Sequence, residues 1–488
     1  MKLCNIGQDF RYELEKLIRI FLPFEKIEFF DSVMQDTRCA VVKREQRNGQ
    51  TFLSAEVWLD GATESRESVL VPTDEGYEKD CERILAVLLY ECFCTLTGYT
   101  PPWGILTGVR PAKLYSRLCD RLGKSAAEDY FSRELRVDTE KISLCAEAVS
   151  GEKAITSLSR PDSFSLYVSV PFCPTRCNYC SFVSHSVEKS KKLIPRYVEL
   201  VCEELRVTAE YAKKNGLRLE TVYIGGGTPT TLSPEQLEAV MGTVRECFDI
   251  SHLREFTVEA GRPDTVTRER LEVIKRLGAT RISINPQTMQ NKVLEAIGRR
   301  HTAEQTVEAF TLAREMGFDN INMDLIAGLN DDTPEGFADT LEKVMALDPE
   351  SVTVHSLSMK RASTITADGR LPEVEAGQTA SYMVALAREW LVSQGIVPYY
   401  MYRQSKTVGN LENVGYAKKG YECLYNVYIM DETHTILACG ASAVTKLRQP
   451  QGDYIERIFN FKYPYEYIDR FETILERKAR IDEFYKKY

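Results

Sequence analysis

Between residues 163 and 395 short apolar runs alternate with longer segments in which apolar residues recur every three or four positions. Six runs, at 165–170, 220–224, 255–259, 281–285, 320–326 and 351–357, are each followed by a helical segment. Alternation of this kind predicts an α/β fold of parallel strands joined by crossover helices. Six units fit an incomplete (β/α)6 barrel, whose chemistry gathers at the C-terminal ends of the strands. The first 155 residues read differently, as a separate N-terminal α+β domain. Strand character appears at 26–33, 39–44, 51–59 and 67–71, with turn signals at Asn48-Gly49 and Asp60-Gly61 and a helix over 77–96. Residues 100–113 are rich in Pro and Gly and carry Arg110 and Lys113. They read as a connector between helices, or else as a loop that covers a neighbouring site or grips a carboxylate through Arg110. Residues 163–395 then form the barrel and 396–488 a C-terminal extension, ending in a charged, aromatic, helix-like tail over 463–488.

A chain of 488 residues exceeds one ordinary core, so two or three domains are expected. With 43% hydrophobic and 27% charged residues it has the balance of a globular protein in water, and no apolar run reaches a membrane span. The net charge of -9 argues against nucleic acid as a bulk partner, while leaving room for a local basic pocket for an acidic small molecule. The N-terminus lacks a secretory pattern, so the 14 cysteines are expected as thiols in a reducing cytoplasm, with Cys81, Cys92 and Cys94 acting as small apolar residues of a helix.

Three other cysteines stand apart. Cys173, Cys177 and Cys180 follow the first barrel strand at the spacing C-x-x-x-C-x-x-C, in Pro171-Phe-Cys-Pro-Thr-Arg-Cys-Asn-Tyr-Cys-Ser-Phe182. Three close thiolates can hold three irons of a [4Fe-4S] cube and leave the fourth open to activate a cofactor or substrate. Structural zinc would need a fourth ligand, for which the lone His185 is the nearest candidate, and three unrelated buried thiols are the remaining reading. Roughly fifty residues on, Tyr223-Ile-Gly-Gly-Gly-Thr-Pro-Thr230 puts three glycines after a strand, where backbone can approach a ligand that a Cβ would block. Downstream, Glu259 and Asp324 supply carboxylates, Arg299 a cation and Gln287 an amide.

These segments resemble the radical SAM superfamily, whose members bind S-adenosylmethionine at the open iron. Over residues 163–445 they resemble more narrowly the HemN/HemZ/HemW group, which acts on coproporphyrinogen or handles haem. The resemblance implies that Cys173, Cys177 and Cys180 are the cluster ligands and that Tyr167 contacts the cluster-cofactor unit. It places Tyr179, Gly226, Gly227, Thr228 and Glu259 against S-adenosylmethionine. Through Arg281-Ile-Ser-Ile-Asn-Pro-Gln287 and Asn322-Met-Asp-Leu-Ile-Ala-Gly-Leu329 it adds Gln287, Arg299 and Asp324.

The C-terminal segments around Asn410–Ala417, Tyr425–Met430 and Ala438–Lys446 resemble the HemZ branch. The chaperone branch carries H-N-x-x-Y-W at the second of these, where this chain has Tyr425 for the His and Ile429-Met430 for the Tyr-Trp pair. Two positions depart from the coproporphyrinogen enzymes: Phe182 replaces a fourth cysteine, and Ser169 replaces a His. The activity implied is oxidative decarboxylation of coproporphyrinogen III, with a reduced flavodoxin- or ferredoxin-like electron donor. A haem chaperone, or another radical SAM enzyme acting on a tetrapyrrole, is the alternative. Lys360 with Arg361, or Arg403 and Lys406, are the cations available for the substrate's carboxylates.

Overall fold

The computed structural model describes residues 1–34, 36–70, 76–180, 185–358, 373–404 and 406–488. Two sheets organise the chain. The first joins β1 (Lys2–Ile6), β2 (Glu28–Phe30), β3 (Arg38–Arg47), β4 (Gln50–Leu59) and β5 (Ala62–Leu70) in the order β2-β1-β3-β4-β5. Both expected turns close its hairpins, with Asn48-Gly49 and Asp60-Gly61 all at positive φ, as a two-residue turn matching the strand twist requires. β1 and the helix Arg11–Phe21 lay outside the sequence reading, and the expected strand over 26–33 shrinks to three edge residues. The helix Tyr77–Thr97 covers this sheet, and Cys81 and Cys92 lie wholly inside their core.

The second sheet holds β6 (Ser163–Val170), then, after the two-residue strands β7 (Phe172–Cys173) and β8 (His185–Ser186) that pair with each other, β9 (Arg218–Gly226), β10 (Glu255–Glu259), β11 (Arg281–Ser283), β12 (Ile321–Ala327) and β13 (Ser351–Ser356). These six large-sheet strands lie side by side in chain order and all parallel, each followed by crossover helix, as the alternation predicts. Helix starts are written locally. Ser233 and Thr302 form capping boxes with Gln236 and Gln305, while Thr267 and Thr333 accept from the third residue of their helices.

The C-terminal region extends this sheet at both edges. Strands β14 (Val397–Arg403) and β15 (Glu412–Ala417) pair antiparallel beyond β13. Beyond β6 comes β16 (Thr435–Cys439), a seventh parallel strand, followed by antiparallel β17 (Val444–Arg448) and β18 (Ile455–Phe459). Among the described residues the sheet is therefore an open, incomplete barrel of eleven strands. The tail is formed by the helices Pro464–Asp469 and Phe471–Lys487, and it is bolted down by charge. Fully buried Lys478 lies 2.9 Å from fully buried Glu204, whose carboxylate also accepts from Tyr467, Gly440 N and Asn460.

The cores change over near residue 100. Residues up to Tyr99 bury with the first sheet, whereas Trp103 and the helices Pro111–Leu122 and Thr139–Thr156 bury with the second. The connector between them is structural. Trp103 Nε1 donates to Glu412 at 2.6 Å, and Lys141 binds the other oxygen of that carboxylate at 2.6 Å. Arg110 does grip a carboxylate, that of Glu432 in the same chain. Arg403 is a correction to the sequence reading: it is 3% exposed, donates to the carbonyls of Leu106 and Gly108, and faces the Trp103 ring, so it ties β14 to the connector and is not free for a substrate. Burial moves its guanidinium down to about 10. Lys406 is exposed, whereas Lys360, Arg361 and Phe182 lie outside the described residues.

Candidate active site

The cysteine loop leaves β6 at its C-terminal end and is strapped to a segment more than a hundred residues away. Asn178 N donates to Ile297 O at 3.2 Å, Asn178 Nδ2 to Ala296 O at 2.8 Å, and Thr175 Oγ1 to Gly298 O at 3.0 Å. The glycine run packs against the same loop. Gly226 has φ +107°, and a Cβ on Gly227 would fall 2.6 Å from Phe172 O, so no side chain fits where the two loops meet. Thr228, at the end of the run, donates from Oγ1 to Cys173 Sγ at 3.5 Å. Arg262, just beyond β10, donates from Nη1 to Cys177 Sγ at 3.6 Å.

Three cysteines on one loop, none of them in a disulfide, with donors and a cation turned toward two of the sulfurs, match the chemistry of iron-sulfur ligation, in which hydrogen bonds to sulfur tune the cluster. Among the described residues no three His, Cys, Asp or Glu side chains converge on one point as a single metal ion needs. His185 turns elsewhere, edge-on to Tyr463 and Tyr465 at 6.0 and 6.2 Å.

Inside the barrel mouth Glu259 ends β10. Burial raises its carboxyl to about 7 against the opposing hydrogen bond from Tyr223, whose hydroxyl lies 2.5 Å from Oε1, and neighbouring Asp324 adds to the rise. Asp324 on β12 behaves in the opposite way. Burial resists its ionisation, but His355, with Nε2 3.8 Å from Oδ2, and Asn322, at 2.7 Å, hold it below the usual carboxylate range. Gln287 reaches this wall only because its backbone takes the left-handed conformation at φ +69°, a costly state for a residue with a Cβ. Its N–H bonds Asp324 O, and its carbonyl accepts from Ile326, so the turn is stitched into β12.

Arg299 sits on the cluster side. It is 8% exposed and donates to Asn285 O at 2.6 Å and to the Tyr179 hydroxyl at 3.2 Å, which places both beside Cys177. Tyr167 stacks with Tyr223 and Tyr425 at centroid distances of 6.3 and 6.0 Å, and Tyr223 and Tyr425 lie 4.6 Å apart. Tyr425 reaches this stack because the carboxylate of Glu255, at the start of β10, accepts from the N–H groups of Leu424 and Tyr425. That anchor sets the helix Leu424–Asp431 against the N-terminal ends of the strands. The candidate residues thus form two groups: Glu259, Asp324 and Gln287 with the tyrosines, and Arg299, Tyr179 and Thr228 with the cysteines.

Arg262, Tyr223 and His355 were not singled out from the sequence. A cation directly after a strand's C-terminal end, as in Glu259-Ala-Gly-Arg262, is the signal that would have found the first.

A parallel partial barrel with a three-cysteine loop after its first strand and a glycine run after its second defines a radical SAM protein, and residues 167–344 match the family description "Radical SAM superfamily". The chain belongs to that superfamily, within the HemN/HemZ/HemW group. It is similar to the oxygen-independent coproporphyrinogen-III oxidase-like protein HemZ of Bacillus subtilis, with 36% identity over 91% of this chain and 90% of that protein. It is also similar to the haem chaperone HemW of the same organism, at 31% identity over 66% of this chain and 82% of the relative. Among solved structures it is similar to the coproporphyrinogen III oxidase HemN of Escherichia coli, at 21% identity and a TM-score of 0.48, covering 69% of this chain and 81% of that one. Membership implies a [4Fe-4S] cluster and S-adenosylmethionine as cofactors.

Proposed function

We propose that the chain catalyses the oxygen-independent oxidative decarboxylation of two propionates of coproporphyrinogen III to vinyl groups, giving protoporphyrinogen IX for haem biosynthesis. The observation that carries this reading is the likeness to the HemZ protein over nine tenths of both chains, C-terminal region included. When bound, S-adenosylmethionine on the reduced cluster would supply a 5'-deoxyadenosyl radical able to take a hydrogen atom from a propionate β-carbon, and loss of carbon dioxide with one electron passed to an external acceptor would then leave the vinyl group.

The chain's own residues bind and orient. Cys173, Cys177 and Cys180 hold three irons. Glu259, with the backbone at Gly226 and Gly227, receives the methionine amino group. Asp324 and Gln287 serve the nucleoside, and Arg299 serves the methionine carboxylate. Tyr167, Tyr223 and Tyr425 form an aromatic floor that keeps water from the reacting carbon. Tyr425 occupies the place of the chaperone branch's histidine, buried in that floor at 4% exposure, which supports an enzyme over a haem carrier. A reduced flavodoxin- or ferredoxin-like protein supplies the electron.

The test is anaerobic reconstitution followed by incubation with S-adenosylmethionine, dithionite and coproporphyrinogen III, with masses followed by chromatography. Loss of two carbon dioxide units coupled to 5'-deoxyadenosine, abolished in Cys177→Ala, is the expected result. Cofactor cleavage with the porphyrinogen unchanged would refute the substrate. No cleavage together with tight haem binding would point to a chaperone.

A further inference from the structure

Arg262 is a buried cation, 3% exposed, with three sets of contacts. Its Nη1 donates to Cys177 Sγ at 3.6 Å, and its Nη2 donates to Thr175 Oγ1 at 3.1 Å within the cysteine loop. From behind, Asp264 grips it at two points, Nε to Oδ1 at 3.1 Å and Nη2 to Oδ2 at 3.3 Å. A guanidinium held in a fork by a carboxylate has few rotamers left, so its remaining N–H is aimed and not merely nearby. The site is further enclosed by His301, whose Nδ1 lies 4.0 Å from Asp264 and which is 2% exposed.

We propose that Arg262 is a positioning residue of the cluster, acting through the Cys177 sulfur to stabilise its reduced state. The physical reason is charge. Reduction adds one electron to an iron-sulfur unit already carrying thiolate charge, and a fixed cation with an N–H on one ligand sulfur favours the more negative state. Asp264 partly offsets the cation, but it lies on the far side of the guanidinium from the sulfur. A structural role alone, clasping the loop through Thr175, would leave the potential untouched.

The inference rests on Cys177 being a cluster ligand, and the experiment separates the two. Full-length wild type, Arg262→Gln and Arg262→Lys are reconstituted anaerobically, assayed for iron and sulfide, and titrated with dithionite while the reduced cluster's electron paramagnetic resonance signal is followed. Wild type that binds no cluster, or a Cys177→Ala variant that retains the full spectrum, would refute the ligand assignment. With the cluster in place, Arg262→Gln is expected to lower the reduced-to-oxidised ratio at a fixed potential at least tenfold, a downward midpoint shift of about 59 mV for one electron. Arg262→Lys keeps the charge on a stem that cannot hold Asp264 and reach the sulfur together, so it should shift in the same direction by about half. An Arg262→Gln protein with four irons and an unchanged midpoint overturns the proposal. If that variant fails to load, an unchanged midpoint in Arg262→Lys overturns it alone.

Discussion

Raising the pH from 5.5 to 7.0 is expected to strengthen S-adenosylmethionine binding about fifteenfold in the cluster-loaded protein. Burial moves the Glu259 carboxyl up to about 7, against the hydrogen bond from Tyr223, while Asp324 is held below the usual range and is already ionised over this window. With Glu259 near 7, its ionised fraction climbs from about 3% at pH 5.5 to about 50% at pH 7.0, and only the anion pairs with the cofactor's ammonium. The assay is anaerobic calorimetry without reductant, so that binding is read in the absence of cleavage. Glu259→Gln should bind weakly with a flat profile. Tyr223→Phe, which removes the hydrogen bond that favours the anion, should move the rise to higher pH. A flat wild-type profile, or a slope that survives in Glu259→Gln, would refute the reasoning. Stability carries the opposite sign. The folded protein keeps this proton up to about 7 while the unfolded chain releases it near 4.5, so the cofactor-free protein loses stability from Glu259 as pH rises between those values.

Lys478→Met should cost about 3–5 kcal/mol in urea unfolding, because Glu204 would stay buried without its cation, and adding Glu204→Gln should recover much of that loss. His434 lies between the Ser159 and Ser165 hydroxyls, both 3.0 Å away, and burial holds its imidazole down to about 3. Its unfolded counterpart takes up a proton near 6.5, so the contribution of neutral His434 is lost as pH falls from 6.5 toward 3. His434→Asn should accordingly flatten the stability-pH slope between pH 6 and 4 by about 1.4 kcal/mol per pH unit, measured by denaturation at each pH.

Much of the barrel was legible because its strands are local statements. Each apolar run is short, four of the helices between the strands begin at a Ser or Thr cap, and the stretch 255–259 was placed to the residue. The edges were not legible for the converse reason. The strand β16 inserts beside β6 more than 260 residues earlier in the chain, and nothing in 435–439 names its partner. In the site, the cysteine spacing and glycine run could be read because a cluster loop and a close backbone approach demand particular residues at fixed intervals. Arg403 misled for the same kind of reason: a cation in sequence carries no mark of whether it will face solvent, a ligand or a tryptophan.

The sequence by itself determined the superfamily chemistry, three thiols and three glycines at set positions, and the order of the six parallel strands. Only the tertiary structure decided which groups act on one another across that scaffold. Tyr425 joins the Tyr167–Tyr223 stack, Arg299 meets Tyr179, and Arg262 is clamped by Asp264 against Cys177. Periodicity and spacing encode contacts within a few residues, whereas these pairings are set by how far each strand end stands from the next after the sheet has twisted and its helices have packed. Burial, which raises Glu259, and the His355 and Asn322 contacts that keep Asp324 low against its own burial, exist only once that packing is complete.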